Sequence, residues 1–255
     1  MPRDRLLRDT ARHLSSDLLA RAWWAAVEHG KVRRGSRRAA RFGAFGEGST
    51  IGFPPSDLIG PEAIRIGRGC AIGSEVSLAA GYPTQVFAPG CDPVIEIGDH
   101  CSIGRGSFLV ALGSIVLEHD VTVAPNVYIT DHNHTYADVG ESIGRQWPEQ
   151  ADTRIGAGSW LGTNVVVLAG AQLGRHVTVA AGSVVRGVVP DHSVVAGVPA
   201  RVVRRWTDAD GWVPPLREGA LADEGWPPAL GRTDPRLRRA RSARSDPRSP
   251  RSRRS

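Results

Sequence analysis

The sequence predicts an all-β solenoid of very short parallel strands, and three observations predict it. An aliphatic residue recurs at every sixth position over two long runs, and Gly or another small residue commonly follows it. The fourth residue after each beat is mostly small or β-branched. The period of six matches neither the 3.6 residues of a helix nor the simple alternation of a strand. A strand of about four residues plus a tight turn fills one hexad, and three hexads close a triangular coil whose beat residues and fourth residues point inward. One such coil cannot bury its own core, so coils must stack about 4.8 Å apart with like residues on like.

Taken in order, residues 3–29 put Leu7, Leu14, Leu18 and Ala22 on one helical stripe among arginines, which predicts an amphipathic helix or helix pair. Gly30 and Gly35 interrupt it. The rhythm opens with Ile66-Gly67, Ile72-Gly73 and Leu78-Ala79, then pauses for an insertion over residues 79–94 that carries Gly, Pro and aromatics. It resumes at Ile97-Gly98, Ile103-Gly104 and Leu109, slips by two residues, and continues through Leu117, Val123 and Ile129. Residues 131–153 lack the aliphatic residues due at 135, 141 and 147, so a second long loop is expected there. Long loops on a rigid scaffold are where function tends to sit. A clean run of Ile155, Leu161, Val167, Leu173, Val179 and Val185 closes the series, and the beats supply roughly seven coils. Arg205 to Val213 predicts a hairpin around Asp210-Gly211 that caps the last open edge. The expected organisation is a basic helical extension (1–47), the solenoid (48–200), a cap (201–231) and a disordered Arg/Ser/Pro-rich tail (232–255).

Composition narrows the function classes. The chain has 255 residues and a net charge of +6, but residues 1–41 carry +7 and residues 232–255 carry +8, which leaves residues 42–231 at −9. The basic character belongs to two arms without a recognisable nucleic-acid-binding fold, so no specific nucleic-acid partner is expected. No stretch approaches the roughly 20 apolar residues of a membrane-spanning helix. The charged N-terminus is unlike an export signal, and three cysteines without a CxxC suit a reducing cytoplasm. Cys70 and Cys101 fall on inward small positions, which reads as core packing, and Cys91 lies in the first insertion.

The hexads, together with the closing segment from Ser159-Trp160-Leu161-Gly162 to Val189-Pro190-Asp191-His192 and Ala196-Gly197-Val198-Pro199-Ala200-Arg201, resemble the hexapeptide-repeat acyltransferases. Within that family they are similar to the galactoside and maltose O-acetyltransferases. The segment Ile129-Thr130-Asp131-His132-Asn133-His134 resembles relatives that acetylate cell-surface saccharides. The resemblance covers about residues 48–204 and implies a left-handed parallel β-helix, a handedness the repeat itself does not give. It implies acetyl-CoA as co-substrate in a groove between the subunits of a homotrimer, a sugar or glycan acceptor, and a loop histidine as general base. Carried over by position, His132 is the base and His134 the reserve candidate or a substrate contact. Trp160 walls the site, Thr163 and Ala181 meet pantetheine, and Arg186, Arg201 and Arg204 reach the CoA phosphates. Two departures stand out: Arg186-Gly187 replaces a frequent Thr-Lys, and an arginine common about seven residues after the histidine is missing, the nearest here being Arg145.

A sugar hydroxyl attacking a thioester must lose its proton as the new bond forms, and neutral imidazole can accept it near pH 7. A carboxylate on the other ring nitrogen would fix the tautomer, with Asp131 and Asp138 as the local candidates. The loop holds no cysteine for a covalent intermediate, so direct O-acetyl transfer is expected, with no metal. N-acetylation of an amino sugar or a xenobiotic is the nearest alternative. Two further readings are a zinc enzyme of the γ-carbonic anhydrase type using His119, His132 and His134, and a non-catalytic scaffold. His100, His119, His176 and His192 fall on turn or outward positions and read as surface histidines. Trp23-Trp24 among arginines raises a peripheral membrane contact of the N-terminal helix as a further partner.

Overall fold

The computed structural model describes residues 2–215 apart from Pro89, with side chains from Ser16 onward. The expectations for residues 216–231 of the cap and for the 232–255 tail lie outside the described residues.

Three sheets form the solenoid, and the chain visits them in strict rotation. The first sheet has seven strands, from Ala44–Phe45 to Val188–Val189; the third has six, from Leu58–Ile59 to Val184–Val185. The second has ten strands, of which seven, from Thr50–Ile51 to Ser193–Gly197, run parallel. Six complete coils and two sides of a seventh result, close to the roughly seven that the beats supply.

Each predicted beat residue sits in a column. The first sheet aligns Phe45, Ile66, Ile97, Leu117, Ile155, Leu173 and Val189. The second aligns Ile51, Ile72, Ile103, Val123, Leu161, Val179 and Val195. The third aligns Leu58, Leu78, Leu109, Ile129, Val167 and Val185. Nearly all of these are buried in one continuous core. Burying each such side chain stabilises by about 1.5–3 kcal/mol, so the columns supply the main cohesion.

The small inward position is small because its side chain sits under a turn. Ser49, Ser107 and Ser159 accept hydrogen bonds from the N–H groups of Cys70, Val127 and Val177 one coil on, at 2.9, 3.1 and 3.1 Å. Cys70 and Cys101 are buried there, each thiol donating to a carbonyl (Gly98 at 3.1 Å, Glu118 at 3.0 Å).

The corner between the first and second sheets requires a left-handed residue. Gly69 and Gly158 supply it with φ of 66° and 68°, but His100, Asp120, His176 and His192 adopt 59°, 59°, 52° and 54° without being glycine. Carboxylates stiffen this corner: Asp99 accepts from the Arg68 N–H at 2.7 Å, and Asp191 accepts from the Arg175 N–H at 2.8 Å. The three histidines there are turn residues, as expected, and His176 stacks on His192 with ring centroids 5.4 Å apart.

Antiparallel strands close both ends of the second sheet. Val32–Arg33 pairs with Thr50–Ile51 at one end, and Ala200–Thr207 pairs with Ser193–Gly197 at the other. The predicted hairpin is present as Ala200–Thr207 against Gly211–Val213, and its first strand covers the edge of the last parallel strand, Ser193–Gly197.

The N-terminal helix is present as expected, but the sheets begin earlier than expected and the helix packs no apolar stripe among the described side chains. Residues Pro2–Gly30 form one continuous helix, and the chain from Val32 onward already belongs to the sheets, ahead of residue 48. Leu18, Leu19, Trp23 and Trp24 are all exposed, so no stripe packs on the coils among the described side chains. The physical reason is the spread of apolar residues: neighbours such as Leu18-Leu19 and Trp23-Trp24 project about 100° apart and cover most of the helix's circumference.

Candidate active site

Both long insertions leave from one corner, between the third sheet and the first. The earlier one follows Ser77–Ala80, and the later one follows Tyr128–Thr130. At the base of the later loop His132–Asn133 pairs antiparallel with Glu149–Gln150, and Ala151 donates to the Asp131 carbonyl at 2.8 Å. The loop is tied internally: Gln146 Nε2 donates to the Asp138 and Glu141 carbonyls at 2.9 and 3.0 Å, and Thr135 Oγ1 donates to the Trp147 carbonyl at 2.6 Å.

Asp131 is wholly buried, and its carboxylate faces the preceding coil. It accepts from the Leu112 N–H at 2.9 Å and from the Gly113 N–H at 2.7 Å. Its Oδ1 also lies 2.9 Å from Nδ1 of His132, whose side chain is 18% exposed. An ionised carboxylate only accepts, so Nδ1 is the donor, and in the neutral imidazole this leaves Nε2 with its lone pair. Thr130 Oγ1 adds to the grip by accepting from the His132 N–H at 3.3 Å. Asp138, the other local carboxylate, turns away and accepts from the Gly140 N–H at 2.8 Å.

His132 and His134 line a cavity of about 680 Å³ between the two insertions. Tyr82, Thr84 and Gln85 form one side, and Arg145, Gln146 and Trp147 form the other. Tyr82 and Trp147 meet edge to face with centroids 6.4 Å apart. Sequence reasoning named none of these six as wall residues, although it marked both loops that carry them. The signal was the interruption of the rhythm; the pairing of the two loops was invisible because Tyr82 and Trp147 stand 65 positions apart.

The structure therefore brings together Asp131, His132 and His134. It does not bring the six residues assigned to the co-substrate into that cavity within one chain. Trp160 lies half-exposed on the outer side of the second sheet. Thr163 and Ala181 occupy successive turns between the second and third sheets, joined by the Gly182 N–H to Thr163 carbonyl bond at 2.9 Å. Arg186 is exposed in a turn from the third sheet to the first. Arg201 and Arg204 lie on the capping strand, where Arg201 donates to the Ala200 carbonyl at 2.9 Å.

The three-histidine zinc reading does not fit this geometry. His119 lines a different cavity with Glu118 and Asp120, its Nδ1 2.7 Å from Asp120 Oδ2. Among the described residues no group of three His, Cys, Asp or Glu is arranged to hold a metal ion. No helix among them is long and apolar enough to cross a membrane.

Comparison with known proteins agrees with the repeat. Residues 152–187 match the family described as bacterial transferase hexapeptide (six repeats), and residues 94–131 match the hexapeptide repeat of succinyl-transferase. An Escherichia coli K12 protein named for lipopolysaccharide biosynthesis O-acetyl transfer, WbbJ, is 32% identical over 153 residues, which cover 57% of this chain and 76% of that one. The galactoside O-acetyltransferase of the same organism is 31% identical over 118 residues, covering 44% of this chain and 58% of that one. Among solved structures, a variant of AntD, an N-acyltransferase from Bacillus cereus in complex with dTDP and coenzyme A, superposes with a TM-score of 0.56 at 14% identity. That match covers 68% of this chain and 91% of AntD, and it is a likeness of fold alone. With its columns of aliphatic residues, its rotating sheets and these relatives, the chain belongs to the hexapeptide-repeat acetyltransferases, acyltransferases built on a left-handed parallel β-helix.

Proposed function

We propose that the protein transfers the acetyl group of acetyl-CoA directly to a hydroxyl of a saccharide, with His132 as general base and Asp131 as the residue that positions it. The observation that carries this reading is the buried Asp131 paired with His132, which lines a cavity walled by both insertions. With Nδ1–H held by Asp131, Nε2 is the atom that takes the acceptor's hydroxyl proton as oxygen attacks the thioester carbonyl. The imidazolium that forms is stabilised by the Asp131 carboxylate and returns the proton to the departing CoA sulfur. The proton count closes without a covalent enzyme intermediate. Relatives named for galactoside and lipopolysaccharide O-acetylation support a sugar acceptor.

Trp160, Thr163, Ala181, Arg186, Arg201 and Arg204 are proposed to hold acetyl-CoA. Their separation from the His132 cavity supports a homotrimer in which one copy supplies the base and its neighbour supplies the co-substrate groove. The outer side of the third sheet supports the same assembly: Phe108, Tyr128, Val166 and Val184 align there, with Val110 and Leu168 beside them. Light scattering on the purified protein tests it, and a monomer mass would remove it. For the N-terminal helix, Trp23 and Trp24, 58% and 68% exposed, support contact with an anionic membrane surface. Flotation of the full chain with phosphatidylglycerol vesicles tests that, and equal flotation of a Trp23→Ser, Trp24→Ser variant would dismiss it.

The central test is acetyl-CoA-dependent thiol release across sugars, amino sugars, nucleotide sugars and antibiotics, with His132→Ala and His134→Ala alongside. Wild-type turnover in His132→Ala would move the base elsewhere.

A further inference from the structure

The charge of the cavity wall runs against the charge of the domain that holds it. Residues 42–231 carry a net −9, yet among the described residues no Asp or Glu lines this cavity. Asp131 lies behind His132, with both oxygens taken by backbone N–H groups and the imidazole. Among the described residues the one formal cation in the wall is Arg145, at the end of the short turn Ile143–Arg145. Its side chain is 77% exposed, and its guanidinium stands 3.8 Å from the Glu141 carboxylate, an exposed i,i+4 ion pair too long for a hydrogen bond. The adjacent Gln146 fixes this part of the loop, since its Oε1 also accepts from the Asp138 N–H at 3.1 Å. Arg145 thus lines the cavity on the same insertion as Trp147, and among the described residues its guanidinium makes no hydrogen bond.

We propose that the acceptor is an anionic saccharide, a sugar bearing a carboxylate or a phosphate, whose acid group pairs with Arg145 while its ring lies against Tyr82 and Trp147. This rests on the reading of the cavity as the acceptor site. A guanidinium offers two parallel N–H groups to a carboxylate or phosphate, and such a pair orients the ligand as well as holding it. Aromatic side chains supply the apolar wall that a sugar ring's C–H face requires, as binding cavities of this size generally do. An ammonium acceptor would meet the Arg145 guanidinium and, among the described residues, no carboxylate lining the cavity, so the same wall disfavours an amino sugar.

Calorimetric titration of the full-length protein tests this without requiring turnover. The probes are methyl glucuronide, glucose 1-phosphate, methyl glucoside and glucosamine, with acetyl-CoA titrated separately. The expected result is that one or both anions bind about tenfold or more tightly than methyl glucoside, the worth of one charge-assisted pair. The two anion arms tell carboxylate from phosphate. Arg145→Gln should erase the preference, and Arg145→Lys should keep most of it. Acetyl-CoA affinity should be equal in all three proteins. Equal binding of the neutral sugar, tighter binding of glucosamine, no anion binding at millimolar concentration, or weakened acetyl-CoA binding in Arg145→Gln would each overturn the proposal. Thiol release measured in parallel separates the two readings. An anion preference without acetyl transfer sinks the transferase reading alone, and turnover of neutral sugars with no preference sinks this one alone.

Discussion

Two corners of the same prism use the same device for different ends. Between the first and second sheets, Asp99 and Asp191 reach back one coil and accept a backbone N–H, then close the contact with the guanidinium of the same residue, Arg68 or Arg175. Between the third sheet and the first, Asp131 also reaches back one coil and accepts two N–H groups, but its remaining bond goes to an imidazole. The first arrangement is solvent-facing and ends in a surface ion pair. The second is buried and ends in a group that can move a proton. The difference teaches that this fold can redirect a turn-capping carboxylate onto an imidazole, the pair proposed as the base and its positioning residue, and that burial and partner distinguish the two arrangements.

The sharpest way to break the comparison is to remove the imidazole. His132→Ala should lower acetyl transfer by about 10²–10⁴-fold with thermal unfolding little changed, measured as thiol release with an accepted acceptor. Asp131→Asn comes next. An amide can place its NH₂ against Nδ1 and invert the tautomer, so kcat should fall about 100-fold or more, with circular dichroism unchanged. Retained activity in Asp131→Asn would make Asp131 a turn cap like Asp99. Leu117→Ala, in a fully buried beat column, tests the prism itself and should cost about 2–5 kcal/mol in denaturant titrations, without altering the pH profile of catalysis.

The smallest effects belong to the structural corner. The Arg68 N–H and guanidinium hold Asp99 below the usual carboxylate value, and the Arg175 N–H and guanidinium do the same for Asp191. Burial works against Glu118, but the Ala157 N–H and Arg154 outweigh it and lower that group too. A carboxyl lowered on folding stabilises the fold above its unfolded value, and that contribution disappears as pH falls through the lowered folded value. Stability should therefore decline below the ordinary carboxylate range. Asp99→Ala and Asp191→Ala should each lower Tm slightly at pH 7, by less than Leu117→Ala, and flatten that acid limb. An unchanged acid limb in the double variant would show the corner carboxylates to be idle.

Much of this was legible in the sequence because six-residue periodicity is a local property with a global consequence. Each coil stacks on its neighbour, so the beats through Leu109, Leu117, Ile129 and Val185 fall into columns as soon as the period is found. Cys70 and Cys101 could be read as core packing for the same reason. The N-terminal helix was legible only as a helix: its stripe had no neighbour encoded in the repeat, and its described apolar side chains face outward.

The sequence by itself determined the prism, the corner histidines and the place where the rhythm breaks, since stacking repeats fix inward and outward positions residue by residue. Only the tertiary structure decided that Asp131 and not Asp138 grips His132, that Tyr82 and Trp147 share one cavity, and that the residues assigned to the co-substrate lie elsewhere on the chain. Those are contacts between insertions of irregular backbone, where side-chain direction follows from how two loops pack on each other and no period carries the information.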